Sequence, residues 1–305
     1  MQPLRGIAFK VMSIVVFVAM ATIIKATADK VPAGEAVFFR SFFATPVILA
    51  WLAVTGELRS GLKTAMPLGH VWRGVVGTTA MGLNFAALGL LPFPEATAIG
   101  YAAPILTVIF AAMFLGEQVR AFRLTAVALG MIGVMIVLSP RLSIGGDEMT
   151  LRETLGAVLA LGAAVFAALA QVQVRRLVAT AERTSAIVFW FSITASLLGL
   201  MTIPWGWAMP DPETFALLVL SGLLGGLGQI LLTSSYRYAD VGVIAPFEYT
   251  SMLMALAVGY FLFDEVPTLV MIGGSLIIIG SGVLIIWRER RLGIERKPTK
   301  SVGPP

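Results

Sequence analysis

Hydrophobic residues run along this chain in long blocks, and polar residues are confined to short breaks between them. A helix crosses the hydrocarbon core of a bilayer in about 20 mainly apolar residues. By that measure the chain divides into ten spans, at roughly 6–25, 33–54, 71–91, 94–115, 121–139, 154–173, 184–205, 214–235, 241–263 and 266–287. The breaks carry turn and capping residues such as Pro32, Pro92-Phe93-Pro94, Ser139-Pro140, Gly145-Gly146, Pro210-Asp211-Pro212, and Asp264 with Pro267. The pattern predicts an all-α polytopic membrane protein. Its first span follows Arg5 and ends near Ala26-Thr27-Ala28, which has the look of a secretory signal. Lys25 abuts that site, and the span has an internal counterpart, so it is expected to stay in the molecule.

That counterpart belongs to a repeat. "GIAFKVMSIVVFVAMATIIK" from Gly6 matches "GAVLALGAAVFAALAQVQVR" from Gly156, with Lys25 and Arg175 corresponding at an offset of 150. "YAAPILTVIFAAMFLGE", ending at Glu117, matches "YTSMLMALAVGYFLFDE", ending at Glu265, so Tyr101 pairs with Tyr249 at an offset of 148. Asn84 pairs with Gln229 at an offset of 145. The expected division is 1–141 and 142–288, five spans each, followed by a basic tail at 289–305. Because five is odd, the second half enters the bilayer inverted. Inverted repeats are a transporter signature, since the halves can exchange roles as the site faces either side.

The plan resembles the drug/metabolite transporter superfamily with its pair of EamA-type domains. The resemblance rests on "FLGE" at Phe114–Glu117, its echo "FLFDE" at Phe261–Glu265, and "AVFFRSFFA" at Ala36–Ala44, which resembles that family's second span with its arginine. Asp264 stands where the family usually has glycine. "RGIAFKVMSIVVFVAMATIIK" and "FEYTSMLMALAVGYFLFDEVPT" further resemble the bacterial riboflavin-uptake branch. The resemblance implies a carrier of small metabolites.

Composition agrees. The chain is 58% hydrophobic and 13% charged, with mean hydropathy +0.90, against about 45–50% and about 25% in soluble domains. No polar block is long enough for a separate soluble domain. Sixteen Lys and Arg fall on the N-terminal side of the spans and four on the other, with Lys10 and Arg40 inside spans. The positive-inside rule then puts both termini in the cytoplasm, across the bacterial inner membrane. The net charge of +5 suits anionic lipid rather than nucleic acid. With no cysteine and one histidine, His70, no metal site or thiol chemistry is expected, and no cofactor. No nucleotide-binding motif is present: "SGLLGGLGQ" at Ser221–Gln229 lacks the G-K-[ST] ending and reads as small-residue helix packing. The expectation is a secondary transporter, neither enzyme nor pump, with riboflavin uptake as the leading substrate assignment. Alternatives are exchange or export of amino acids, S-adenosylmethionine or other small metabolites, and, remotely, a channel.

Ionisable groups within spans cost roughly 2.5–3.5 kcal/mol at helix centre and call for a partner, water or a function. Glu248, in "IAPFEYTSMLM", lies eight residues beyond Asp240, roughly 12 Å into a core about 30 Å thick. It could bind substrate, carry a proton, or pair with an arginine. Arg40 enters from the opposite face to roughly 10 Å and is the arginine within reach by depth; it could equally meet substrate or snorkel. Polar candidates for a substrate cavity are Ser13, Asn84, Tyr101, Gln171, Trp190, Gln229 and Tyr249, although interhelical hydrogen bonding would use the same residues. Lys10 is expected to snorkel to the cytoplasmic surface. Glu35 and Glu95 are expected to cap helix starts at the interface, and Glu117 and Glu265 to open the helices that follow them.

Overall fold

A computed structural model describes residues 3–115, 121–142, 151–180, 182–239 and 244–291. The described residues are helical almost throughout. The ten expected spans are present as α1 (Pro3–Thr27), α2 (Ala33–Val54), α4 (Pro67–Leu88), the pair α5 (Phe93–Gly100) and α6 (Ala102–Leu115), α7 (Ala121–Leu142), α8 (Leu151–Ala179), α9 (Thr184–Leu200), α10 (Pro212–Tyr238), a 3-10 turn (Ala245–Tyr249) leading into α11 (Thr250–Phe263), and α12 (Leu269–Arg291). A one-turn helix, α3 (Leu58–Gly61), sits between α2 and α4. We call the face where α1 begins the near face and the other the far face. Most of the tail at 289–305 lies outside the described residues.

Two differences from the sequence reading matter for the site. The third span starts at Pro67, where proline suits a first helical turn. His70, just outside the expected span, is therefore inside the helix, and Arg73 lies nearly two turns into it. Span nine is broken where Pro246, lacking a backbone donor, is expected to disturb the helix just before Glu248, and span four is broken as well. Pro104 cannot donate to the carbonyl of Gly100 and its ring crowds that oxygen, so the helix resets at Tyr101. Pro246 opens the 3-10 turn in span nine. The two breaks occupy equivalent places in the repeat, at Tyr101 and Tyr249, whose rings meet at 5.4 Å.

Packing follows the repeat. The most extensive interhelical interfaces are α1 on α10, its counterpart α4 on α8, and α7 on α12, which is its own counterpart. The pairs α2 with α10 and α4 with α9 correspond in the same way. The small residues of "SGLLGGLGQ" do serve packing: Gly222 and Gly226 of α10 lie against the backbone of Phe39 and Ala44 in α2. At the α7–α12 crossing, Gly133 and Gly274 face each other, and a β-carbon on either would sit 2.8 Å from the other's carbonyl oxygen. Gly274→Ala should therefore cost about 1–3 kcal/mol, read as a lower Tm in detergent. An unchanged Tm would show that α7 and α12 separate freely. Outward-facing Leu, Ile, Val and Phe, such as Phe42, Phe114, Ile132, Leu197, Phe261 and Leu276, stay exposed in the protein alone, as a lipid-facing surface requires. Asp264, at φ +54°, ends α11 in the left-handed region. Glycine is favoured there, and aspartate is among the few side chains that tolerate it.

At the near face, Glu182 ties the α8–α9 connection to the start of α4. One carboxylate oxygen accepts from the backbone N–H of Ala65 (2.7 Å) and of Met66 (3.0 Å) and from the Thr64 hydroxyl (3.1 Å). The other meets His70 Nε2 at 3.1 Å. Burial opposes ionisation of Glu182, but hydrogen bonds from His70, Ala65 and Thr64 outweigh it and hold the carboxyl below its ordinary 4.5. A carboxyl depressed in this way contributes stability above its unfolded pKa, lost as pH falls through the lower folded value. Glu182→Gln should cost about 1.5–3 kcal/mol at neutral pH and remove part of the fall in Tm on acidification below about pH 4.5. Parallel wild-type and variant Tm profiles over that range would refute this role.

Candidate functional site

Four spans, the first, third, fourth and ninth, line a partly open cavity of about 220 Å³. Its walls are mainly apolar and aromatic, with Phe17 from α1, Leu88 from α4 and Phe93 from α5. Polar groups are few: Asn84, Thr97, Ser251 and Glu248. An apolar chamber with a handful of placed polar groups is the usual form of a small-molecule site. Gly100, at the break in span four, adds space, since a β-carbon there would meet nothing within 4 Å.

The acid in this chamber has a partner, and it is Lys10 rather than Arg40. Lys10 Nζ and Glu248 Oε2 form an ion pair that joins α1 to the 3-10 turn of span nine. The lysine is buried, with 5% of its side chain exposed, while the glutamate, which lines the cavity, leaves 49% of its side chain exposed. Lys10 therefore does not snorkel. The reason is depth: it lies seven residues into α1 from the near face, roughly 10 Å, level with Glu248, which enters from the same face.

The break in span nine is braced by its counterpart. Tyr101 Oη lies 2.5 Å from Ser251 Oγ and donates to the Glu248 carbonyl at 3.4 Å. Tyr249 turns its hydroxyl toward α12, against the bare backbone of Gly282. The two tyrosines thus hold the turn that presents Glu248.

The remaining sequence candidates lie elsewhere. Ser13 is fully buried and donates to the Lys10 carbonyl at 2.7 Å, one turn back on its own helix. Trp190 donates its indole N–H to the Leu62 carbonyl at 3.1 Å, closing the near-face connection between α2 and α4. Gln171 is on an exposed position of α8, and Gln229 is half-buried on α10 outside the cavity lining. A hydroxyl or indole in an apolar span satisfies itself on the nearest carbonyl, which sequence spacing does not reveal. Arg40 is buried against Phe191 of α9, its guanidinium carbon 5.7 Å from the ring centroid.

The far end of the same four spans is tied by a second ion pair. Lys25 Nζ lies 2.9 Å from Glu265 Oε1, with both side chains largely buried. Lys25 also donates to the carbonyls of Leu88 (3.2 Å) and Leu91 (2.6 Å), and sits 5.2 Å from the Phe263 ring centroid. Glu265 Oε2 accepts from the Phe93 N–H at 2.7 Å. Glu265 therefore does not simply open the next helix; it binds across the molecule. Glu35 is likewise buried, not an interfacial cap, and accepts from the Ala208 N–H at 3.0 Å. Lys10, Lys25 and Glu265 escaped the candidate set because each lies near a span end, where charge is ordinarily solvated. Glu117, the repeat counterpart of Glu265, lies outside the described residues.

Comparison with known proteins agrees with this architecture. A solved crystal structure of another protein, 21% identical, superposes with a TM-score of 0.67 over 94% of this chain and 98% of the other, which shows a shared fold. The chain is 27% identical over 288 residues to an S-adenosylmethionine uptake transporter of Rickettsia conorii, covering 94% of each. It is 27% identical over 275 residues to the pseudopaline exporter CntI of Pseudomonas aeruginosa, covering 90% of this chain and 93% of that one. An uncharacterized transporter of Helicobacter pylori is 30% identical over 289 residues, covering 92% and 94%. The EamA-like transporter family matches residues 4–139 and again 154–287, one match to each group of five spans. The chain is a member of the EamA-like transporter family, a non-enzymatic carrier of small molecules built from two such repeats.

Proposed function

We propose that this protein carries a small zwitterionic metabolite bearing an additional positive charge across the bacterial inner membrane, with S-adenosylmethionine as the first candidate and uptake as the direction. The observation that carries this reading is the Lys10–Glu248 pair at the edge of the central cavity. The half-open carboxylate is a docking point for a cation, and Lys10 is its occupant when substrate is absent. A sulfonium or ammonium competing for Glu248 releases Lys10, and Lys10 returns when substrate leaves. Phe17 and Phe93 offer flat apolar faces to a purine, and Asn84, Thr97 and Ser251 offer hydrogen bonds. The relatives that carry S-adenosylmethionine and pseudopaline favour this class, whereas the riboflavin expectation gains no support from them. The positive-inside count favours cytoplasmic termini, which makes the near face cytoplasmic.

Alternation would use the repeat. Lys25 and Glu265 hold the far side closed around the cavity. Arg175 and Glu117 occupy the equivalent sequence positions in the other halves, so the repeat carries the same two residue types, basic and acidic, twice. The test is flux of labelled S-adenosylmethionine into proteoliposomes. Saturable uptake with counterflow is expected. Flux without either property would indicate a channel, and no flux through folded protein would overturn the substrate assignment.

A further inference from the structure

A second polar feature lies outside the Glu248 cavity. Arg40 of α2 and Arg73 of α4 both point at the ring of Phe191 in α9, with guanidinium carbons 5.7 and 4.0 Å from its centroid. The two charges are therefore within about 10 Å of each other and repel. Arg40 is 6% exposed. Arg40 Nε and Arg73 Nε and Nη1 are buried and have no hydrogen-bond acceptor. None of the ion pairs among the described residues includes either arginine. Glu248 is occupied by Lys10, and Glu35, five residues before Arg40, turns one oxygen to Ala208. Glycines make room for the charges: a β-carbon at Gly225 would lie 3.1 Å from Arg40 Nε, and one at Gly77 would collide with Arg73 Nη1.

Two cations face one ring, Arg40 buried and Arg73 half-buried with its Nε and Nη1 shut off from solvent, and these buried donors lack an anion. Attraction to an aromatic face is small beside the desolvation of a guanidinium. A guanidinium fork matches a carboxylate in shape and charge. Arg73 also stands eleven residues before Asn84 on α4. Three helical turns separate them, so both lie on one face of the helix, about 16 Å apart along its axis. The wall that carries Asn84 in the cavity thus continues toward the near face to Arg73.

We propose that Arg40 and Arg73, meeting over Phe191, form a subsite that holds the carboxylate of the transported metabolite. The assignment rests on the reading of the protein as a carrier of zwitterions and adds where the negative end is bound.

The test uses the full chain in nanodiscs, with ligand-induced shifts in Tm measured at constant ionic strength. Probes are sodium acetate, sodium phosphate, S-adenosylmethionine and its decarboxylated form, with sodium chloride as reference. Acetate should stabilise the wild type saturably, and Arg40→Gln or Arg73→Gln should weaken its binding at least tenfold. Arg152→Gln, at the exposed pair with Asp29, should leave it unchanged. S-adenosylmethionine should bind at least tenfold tighter than its decarboxylated form, and Arg40→Gln should erase that preference. Should the glutamine variants not fold, Arg40→Lys and Arg73→Lys keep the charge but lose the fork, and should weaken acetate binding in the same order. An absent acetate effect, one indifferent to both arginines, or a saturable effect of phosphate alone overturns the subsite. Arginine-dependent acetate binding without S-adenosylmethionine flux would leave the subsite standing and refute the substrate assignment. Flux that accepts the decarboxylated form equally and survives both substitutions would do the reverse.

Discussion

Glu248→Gln should abolish saturable S-adenosylmethionine uptake at concentrations that saturate the wild type. The carboxylate is the acidic group in the cavity lining, and a cationic substrate has Lys10 as its competitor there. Truncating one side of a close charge pair at a binding site costs about 2–5 kcal/mol, a thirtyfold or larger loss of affinity. Lys10→Gln should act in the opposite sense on binding. With the internal cation gone, substrate meets a free carboxylate, so KM falls. Release is slower without Lys10 to reclaim Glu248, so kcat falls too. A purely structural pair would lower activity alike in both variants, with KM unchanged. A third outcome separates proton carriage: a glutamate that shuttles protons would leave counterflow intact in Glu248→Gln while gradient-driven accumulation is lost.

Lys25→Met should open the far side of the cavity. Both partners of the Lys25–Glu265 pair are largely buried, and the pair also gathers the ends of spans three and four. Removing one member of such a pair strands the other charge, at about 3–5 kcal/mol. That cost falls on the far-closed state and shifts the equilibrium toward the opposite one. The chain has no cysteine, so Thr97→Cys in the cavity wall supplies a unique reporter. Labelling by an impermeant maleimide from the far face should rise at least tenfold when Lys25→Met is added. Equal labelling in both backgrounds would remove this pair from the transport cycle and leave it a static tie.

The electrostatics explain why some of the site was legible and some was not. Glu248 stood out because nothing in an apolar span excuses an acid near mid-depth. Its partner did not stand out, because a lysine close to a helix end is normally excused by water. Depth arithmetic, about 1.5 Å per residue, would have matched Lys10 to Glu248, since both enter from the near face, while Arg40 enters from the other. Arg73 was hidden because it stands two residues past a span start placed at 71, where charge is ordinarily solvated; with the helix beginning at Pro67 it lies nearly two turns in and half-buried.

The order of the spans, their inverted repetition, the breaks at proline in spans four and nine and the small residues at helix crossings were all set by the sequence, because each depends on local composition and chain-length periodicity. Which charge met which was decided only by the tertiary structure. Lys10 against Glu248, Lys25 against Glu265 and two arginines over one phenylalanine join residues 238, 240 and as many as 151 positions apart. Inside a bilayer such partners are chosen by helix rotation and depth, where a misplaced charge finds no water to take its place.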